Sequence, residues 1–266
     1  MVKIGFRTIG FRGWKIEDCL VRLSEIGYEA VELCLEHADL QPSRLTSSRL
    51  RQLHQLLEAR GLSVSAVSYH GVGDPLEVRR RNLYRALELL PHFGTDLLIT
   101  SSRREKPQRL QAQFLEHIDW YEELCAVAAE RGGRVAVEPQ PGRVIRTAED
   151  LVKLMQSVSQ PNLVASLDIA YASTISDDLS WAMFTLGSRL ANVHLADARG
   201  KGSPHLLPGE GDIDFSEVRE ILNSVGYQGP LVLDLDRPEE DPGELAQRAW
   251  QAFRERWPEA SPVLGT

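Results

Sequence analysis

The chain has 266 residues, a formal net charge of −8 and a sequence pI of about 5.5. Hydrophobic residues make up 42% and charged residues 26% of the sequence, a balance typical of a soluble globular protein with a large core. The acidic charge argues against nucleic acid or an anionic membrane surface as a partner, and no apolar run approaches the roughly 20 residues that a membrane helix needs.

Short strand-like runs alternate with longer helical patterns along almost the whole chain. In chain order, the strand candidates are VKIGF, AVELCL, LSVSAVSY, DLLIT, RVAVEP, LVASLD, LANVHLAD and PLVLDL. A segment with apolar residues at helical spacing follows each of them, and the first such helix is expected to end at Gly27. The strands are mostly apolar, as expected where both faces of a parallel sheet are covered.

Eight strand–helix units in a row predict an α/β fold, a single (β/α)8 TIM barrel over residues 1–258. The segment 259–266 has no periodicity and is expected to be a loose tail. A doubly wound open sheet is the alternative, and it is disfavoured because no GxGxxG turn follows the first strand.

The three cysteines, Cys19, Cys34 and Cys125, form no CxxC pair. The start of the chain, MVKIGFRTIG, does not look like a signal peptide. We therefore expect buried free thiols in a reducing, cytoplasmic protein.

Polar side chains occupy the C-terminal ends of the last four strands: Glu138, Asp168, His194 and Asp234. Barrels of this kind carry their chemistry at those ends. Carboxylates gathered there repel one another and lose hydration, and a divalent cation removes that repulsion by accepting their oxygens. One imidazole and three carboxylates suit Mn, Mg, Co, Fe or Zn without selecting one metal. A single buried acid is more often a helix cap or an ion-pair partner, so the prediction depends on all four residues.

At these residues the chain resembles the xylose isomerase-like, or endonuclease IV-like, TIM-barrel superfamily. That superfamily includes sugar phosphate isomerases and epimerases, inosose dehydratases and 3-dehydroshikimate dehydratases. The matching motifs are EIGYEAVEL at the second strand, VHLAD on the seventh, HLLPGEGDIDF after it and GYQGPLVLDLD at the eighth. The resemblance covers nearly the whole chain, and the strand-seven block with its GxGxxD run is its most specific part.

The resemblance implies a set of metal ligands: Glu138, Asp168, His194 and Asp234. It also implies that Glu138 and Asp234 form the acid/base pair on the two faces of the sugar carbon. The family usually has the longer Glu at the last position. It often has a substrate-binding His where this chain has Tyr171, and the ketose epimerases hold substrate with a Glu where this chain has Val144. These departures weaken the case for a standard ketose 3-epimerase.

Several residues near the strand ends are candidates for substrate contact: Trp14, His70, Arg143, Tyr171, Asp197, Arg199 and His205. Trp14 offers a ring for stacking on a sugar, and Arg143 and Arg199 offer guanidinium groups that fork onto a carboxylate or phosphate. Solvated loop arginines are at least as common. An anionic substrate is therefore a hypothesis from loop position alone.

We expect a divalent-metal-dependent isomerase or epimerase of a small sugar, sugar phosphate or keto-polyol, acting through an enediolate. A metal-dependent dehydratase of the inosose or 3-dehydroshikimate type is the first alternative, because the same enolate can expel a β-hydroxyl. A barrel that binds a sugar-like ligand without turnover is the second. A DNA-repair endonuclease is disfavoured, since Tyr171 and Ser203 replace two ligands of its three-metal cluster. Homo-oligomers are usual in the resembled family.

Overall fold

A computed structural model describes residues 3–175, 178–201 and 203–257, except for the side chains of residues 203 and 204. Its strands are β1 Ile4–Arg7, β2 Ala30–Cys34, β3 Ser63–Ser68, β4 Leu97–Ser101, β5 Arg134–Glu138, β6 Leu163–Asp168, β7 Leu190–Leu195, β8 Asp197–Arg199, β9 Ser203–Leu206 and β10 Leu231–Leu233. Eight of them close into a parallel barrel in the order β1-β10-β7-β6-β5-β4-β3-β2, which confirms the predicted TIM barrel. The tail expected at 259–266 lies outside the described residues.

Helices cover the outside of the barrel. They are α1 Ile16–Ile26, α2 Ser47–Ala59, α3 Leu76–Leu89, α4 Leu110–Ala129, α5 Ala148–Ser157, α6 Ile169–Thr174, α7 Leu179–Leu186, α8 Phe215–Ser224 and α9 Pro242–Arg256. The first ends at Gly27 as predicted, with φ of 109°, a left-handed conformation that favours glycine. None of the helices in the described ranges is long and apolar enough to cross a membrane.

The inside of the barrel is polar towards the C-terminal ends of the strands and apolar below. Alternate residues of a strand point the same way, so Glu138 shares a face with Ala136, and Asp168 with Ser166. Asn192 Nδ2 donates a hydrogen bond to Ser166 Oγ over 3.0 Å, one layer beneath Asp168. A separate apolar cluster consists of Ala66, Leu97, Ile99, Ala136, Val164 and Ala191. The acidic residues therefore lie above a packed layer of apolar and hydrogen-bonded side chains.

The connection between β7 and α8 contains a two-stranded antiparallel sheet, β8 with β9, that the alternating pattern did not predict. Its fixed point is Asp197, which is fully buried. The Asp197 carboxylate accepts hydrogen bonds from the backbone N–H groups of Gly209, Gly211 and Ile213 at 2.7–3.1 Å. A Cβ on Gly211 would lie 2.3 Å from the Ala198 carbonyl oxygen, so only glycine fits this turn.

The loop between β4 and α4 is tied down by two buried side chains of α4. Gln113 Oε1 accepts from Lys106 N over 2.7 Å, and its Nε2 donates to the Arg104 carbonyl oxygen over 3.2 Å. His117 Nε2 accepts from Arg103 N over 3.0 Å, while Nδ1 lies 2.5 Å from the Gln113 carbonyl oxygen. These contacts require a neutral imidazole, because a protonated one has no acceptor for the Arg103 N–H.

His117 is expected to make folding sensitive to mild acid. Burial lowers its pKa from 6.5 to about 4. As the pH falls from 6.5 towards 4, the unfolded chain takes up a proton that the folded chain resists, so stability decreases across that window, by about 3 kcal/mol at most. Urea unfolding of wild type and His117→Gln at several pH values measures this. The difference in free energy of unfolding between wild type and His117→Gln should decrease as the pH falls. If the two proteins lose stability in parallel with falling pH, His117 is not the group responsible.

Candidate active site

The strand register brings the four predicted ligands to one end of the barrel. Asp168 on β6 lies directly beside His194 on β7, Glu138 is the last residue of β5, and Asp234 follows β10. All four residues are at most 3% exposed. Three buried carboxylates so close together need cations nearby, because a buried carboxylate without a paired positive charge costs folding free energy.

His194 is held between two glutamates. Its Nδ1 lies 2.5 Å from Glu138 Oε1 and its Nε2 lies 2.5 Å from Glu32 Oε2. Burial lowers the pKa of His194, but the two carboxylates outweigh it and raise the pKa well above its ordinary value. In this arrangement the imidazole is a cation that neutralises the centre of the site. Glu32 is the one charged residue of the second strand candidate, AVELCL, and was not among the predicted site residues.

Arg7, at the end of β1, supplies the second positive charge. Its Nη1 donates to Asp234 Oδ2 over 2.8 Å. Its Nε lies 2.9 Å from Glu32 Oε1, an ion pair not aligned as a hydrogen bond. Burial raises the pKa of Asp234, but Arg7, with the nearby histidines, lowers it below its ordinary value. Arg7 therefore binds carboxylates of the protein itself, and Asp234 is ionised.

Asp168 is covered by Tyr171 and His205. One carboxylate oxygen accepts from Tyr171 N over 2.7 Å, and the other lies 3.0 Å from His205 Nε2. The Tyr171 and His205 rings meet edge to face with centroids 4.6 Å apart. His205 has φ of 63°, an uncommon conformation for a residue with a Cβ. Burial lowers the pKa of His205, but Asp168 outweighs this and raises it to about 9.

His70 has polar atoms without partners beside Glu138. Its Nε2 lies 3.7 Å from Glu138 Oε2, and within the described ranges neither ring nitrogen makes a hydrogen bond. The residue is 5% exposed. Burial lowers the pKa of His70 well below its ordinary value, and Arg7 and His194 lower it further. A neutral, unpaired imidazole facing the site is suited to a ligand that supplies the missing hydrogen bond.

Three residues predicted to contact substrate have partners within the protein. The structure corrects the prediction for Asp197. Its carboxylate oxygens accept hydrogen bonds from Ala198 N and from backbone amides of the β9–α8 loop, so Asp197 shapes that loop and has no free oxygen for a ligand. Arg199 is exposed and donates to the Glu210 carbonyl oxygen. Trp14 packs edge to face on Phe11, 5.4 Å between centroids, beside the start of α9. A substrate role for Arg199 and Trp14 stays a prediction.

Two overlapping groups of side chains offer ligand atoms within 4.8 Å of one another: Glu138, Asp168 and His194, and Asp168, His205 and Asp234. Asp168 belongs to both groups. The predicted ligands thus fall into two overlapping groups that share Asp168, and His194 Nδ1 also lies 4.0 Å from Asp234 Oδ2.

Comparisons with known proteins agree with this architecture. The family model described as a xylose isomerase-like TIM barrel matches residues 20–256. Fructoselysine 3-epimerase of Escherichia coli O157:H7 is 22% identical over 97% of this chain and 99% of its own length. Inosose dehydratase of Geobacillus thermodenitrificans is 23% identical over 96% of this chain and 97% of its own.

A crystal structure of the IOLI protein with a bound zinc atom superposes with a TM-score of 0.82 at 16% identity, covering 98% of this chain and all of that chain. Its likeness concerns the fold. The relatives include an epimerase and a dehydratase, the two reaction types expected from the sequence. From the extent of the family match and the closed eight-stranded barrel, the chain belongs to the xylose isomerase-like TIM-barrel family.

Proposed function

We propose that the chain is a divalent-metal-dependent epimerase or isomerase of a small sugar, sugar phosphate or keto-polyol. The observation that carries the proposal is the meeting of Glu138, Asp168 and His194 at the mouth of the barrel, with ligand atoms within 4.8 Å of one another. Full-length similarity to an epimerase supports the same class. The buried free thiols suit the reducing cytoplasm expected from the sequence.

The donor set fits a divalent cation. Glu138, Asp168 and His194 offer two carboxylates and an imidazole, and Asp234 and His205 form a second such group with Asp168. The short contact between His194 Nδ1 and Glu138 means that a cation would replace the proton now shared there. The positive charge of the imidazolium would thus be exchanged for that of the metal. When bound, such a cation polarises a substrate carbonyl and stabilises charge on its oxygen.

The carboxylates are arranged for proton transfer on two sides of a substrate. Two strands, β6 and β7, separate Glu138 on β5 from Asp234 after β10, so the two acids face the mouth from different directions. We assign Glu138 the removal of the proton beside the carbonyl, which leaves an enediolate. We assign Asp234 the opposite face, with Arg7 fixing its carboxylate at 2.8 Å. Because Asp234 is ionised, it would first take up a proton from solvent and then deliver that proton to the enediolate carbon, while Glu138 keeps the proton it removed. His70, Tyr171 and His205 border these groups and are proposed to position the substrate hydroxyls.

Dehydration is the second candidate, since an inosose dehydratase matches 96% of the chain. The same proton removal by Glu138 would precede it, and loss of a β-hydroxyl would follow. The products separate the two reactions: an epimer keeps the substrate mass, whereas a dehydrated product has lost one water.

Metal content and hydrogen exchange test this proposal directly. We expect wild type to bind one divalent cation per chain, and Glu138→Gln and His194→Ala to weaken that binding by about tenfold or more, because each removes a ligand. Loaded wild type should exchange the hydrogen beside the carbonyl of a ketose with solvent deuterium. Metal analysis and nuclear magnetic resonance in deuterium oxide measure the two effects.

Matched controls are Glu130→Gln and His54→Ala, which change exposed residues on the helical side of the barrel. Both should bind metal and exchange hydrogen as wild type does. Absence of metal after loading with Mn²⁺, Co²⁺ or Zn²⁺ would contradict the proposal. Bound metal without exchange or dehydration on a panel of ketoses and keto-polyols would point to a binding barrel without turnover.

A further prediction tests the role of Arg7 in charge balance. In metal-free protein, Arg7→Gln removes the buried cation that Asp234 contacts most closely and leaves Glu32 with His194 alone, so we expect a loss of about 3 kcal/mol or more in the free energy of unfolding. The control Arg134→Gln removes an exposed pair with Asp96 and should cost less than about 1 kcal/mol. Urea unfolding of both variants checks this, and equal losses would refute the assignment.

A further inference from the structure

A basic cleft lies beside the acidic site, between the loops that follow β3, β4 and β5. Its volume is about 620 Å³, which suits a small ligand. Its charged lining consists of Arg79, Arg103, Arg104, Lys106, Arg109 and Arg143, with Asp74 and Glu116. This concentration of positive charge contrasts with the net charge of −8 of the whole chain, and it would raise the local concentration of anions.

The acidic residues of the cleft are already engaged. Glu116 pairs with both Arg103 and Arg109, at 2.5 and 2.8 Å. Asp74 accepts a hydrogen bond from the Tyr69 hydroxyl. In the part of the chain that the structure describes, no carboxylate lies within ion-pair distance of the remaining cations, which are Arg79, Arg104, Lys106 and Arg143. The cleft therefore has several positive charges that the protein does not neutralise.

Arg79 is the deepest of these cations, at 5% exposure. Its Nε donates to the His70 carbonyl oxygen over 2.9 Å, and its Nη2 donates to the Ser101 carbonyl oxygen. Burial lowers the pKa of Arg79, and the nearby Arg143 and Arg103 lower it further. A Cβ on Gly71 would lie 2.7 Å from Arg79 Cγ, so the glycine leaves the space that this side chain fills. Arg79 Nη2 also donates to the Thr100 hydroxyl over 3.4 Å. A buried guanidinium held by neutral oxygens, with no carboxylate paired to it among the described residues, is suited to an anion from outside.

Arg143 and Arg104 face each other across a short antiparallel bridge that joins the β4–α4 and β5–α5 loops. Hydrogen bonds of 3.0 Å on either side, Val144 N to the Arg103 oxygen and Glu105 N to the Gly142 oxygen, fix that bridge. Arg143 is half-buried. Burial lowers its pKa, and Arg104 lowers it as well. Two like charges held together by the backbone are a preorganised site for a group that bonds to both.

The cleft adjoins the proposed reaction site. His70 connects them, since its carbonyl oxygen accepts from Arg79 while its ring lies 3.7 Å from Glu138. Gln140 connects them a second time, because its side chain donates to Glu138 and its carbonyl oxygen accepts from Arg143 N. A small molecule whose reacting carbons lie at Glu138 would direct one end towards the arginines.

We propose that the substrate carries an anionic end group, a phosphate or a carboxylate, bound by Arg143 and Arg104 in front of the buried Arg79. This inference rests on the proposed function, because it names the class of substrate that the same site accepts. The polyol part would lie over the acidic site and the anion in the basic cleft. Planar guanidinium groups bind both kinds of anion through paired hydrogen bonds.

The test uses the metal-loaded full chain and three probes: inorganic phosphate, D-gluconate and the uncharged polyol sorbitol. Isothermal titration calorimetry compares wild type, Arg143→Gln and the control Arg131→Gln. Arg131 is exposed in the loop between α4 and β5, at the other end of the barrel, and its replacement changes the net charge equally. We expect Arg143→Gln to weaken anion binding by about tenfold or more, and Arg131→Gln to leave it unchanged.

Preference for phosphate would identify a phosphorylated sugar, and preference for gluconate a sugar acid. Repeating the titrations after chelation separates binding in the cleft from binding to the metal. The inference is overturned if wild type binds neither anion, or if Arg143→Gln and Arg131→Gln bind the anions equally. It is also overturned if sorbitol binds as tightly as both anions.

Failure of this inference and failure of the proposed function give different results. Anion binding that depends on Arg143, in a chain that catalyses no hydrogen exchange, would keep the anion site and remove the enzymatic proposal. Hydrogen exchange on neutral ketoses, with anion binding independent of Arg143, would do the reverse.

Discussion

The structure depends on the balance of charge at the mouth of the barrel. Four acidic residues, Glu32, Glu138, Asp168 and Asp234, are buried there with at most 3% exposure. Their mutual repulsion and lost hydration would be prohibitive without nearby cations. Arg7, His194 and His205 supply these cations at contact distances of 2.5–3.0 Å. The same carboxylates make the mouth a place where a divalent cation would replace protons at little electrostatic cost.

This balance explains the irregular parts of the fold. The β8–β9 hairpin brings His205 over Asp168, and the residue keeps an uncommon left-handed conformation to reach it. The following loop is held by a buried carboxylate, Asp197, through backbone amides rather than through side chains. Rigid loops of this kind hold polar groups in place before a ligand binds, so less conformational entropy is lost on binding.

The mouth has two electrostatic sides. The strands β2, β5, β6 and β10 carry the acidic residues at or near their ends, whereas α3 and the loops after β4 and β5 carry arginines that have no carboxylate partner among the described residues. His70 and Gln140 lie on the boundary and contact both sides. With this division, one part of a bound molecule would contact the groups that transfer protons, and another part would contact the groups that recognise it. Substitutions in the loops could then change substrate specificity without disturbing the carboxylates.

The sequence by itself determined the barrel, since alternating short apolar strands and amphipathic helices report which faces are buried, and it identified the four polar strand ends. It also indicated Arg143 and Arg199 as loop cations. It did not determine that Arg7 pairs with Asp234, 227 positions away, that Glu32 holds His194, or that Asp197 serves a loop. Those contacts depend on barrel closure and strand register, because residues distant in sequence become neighbours only when β1 pairs with β10 and β6 with β7. The local sequence pattern determines which face of a strand or helix a side chain lies on, whereas the closed tertiary structure determines which charged residues it contacts.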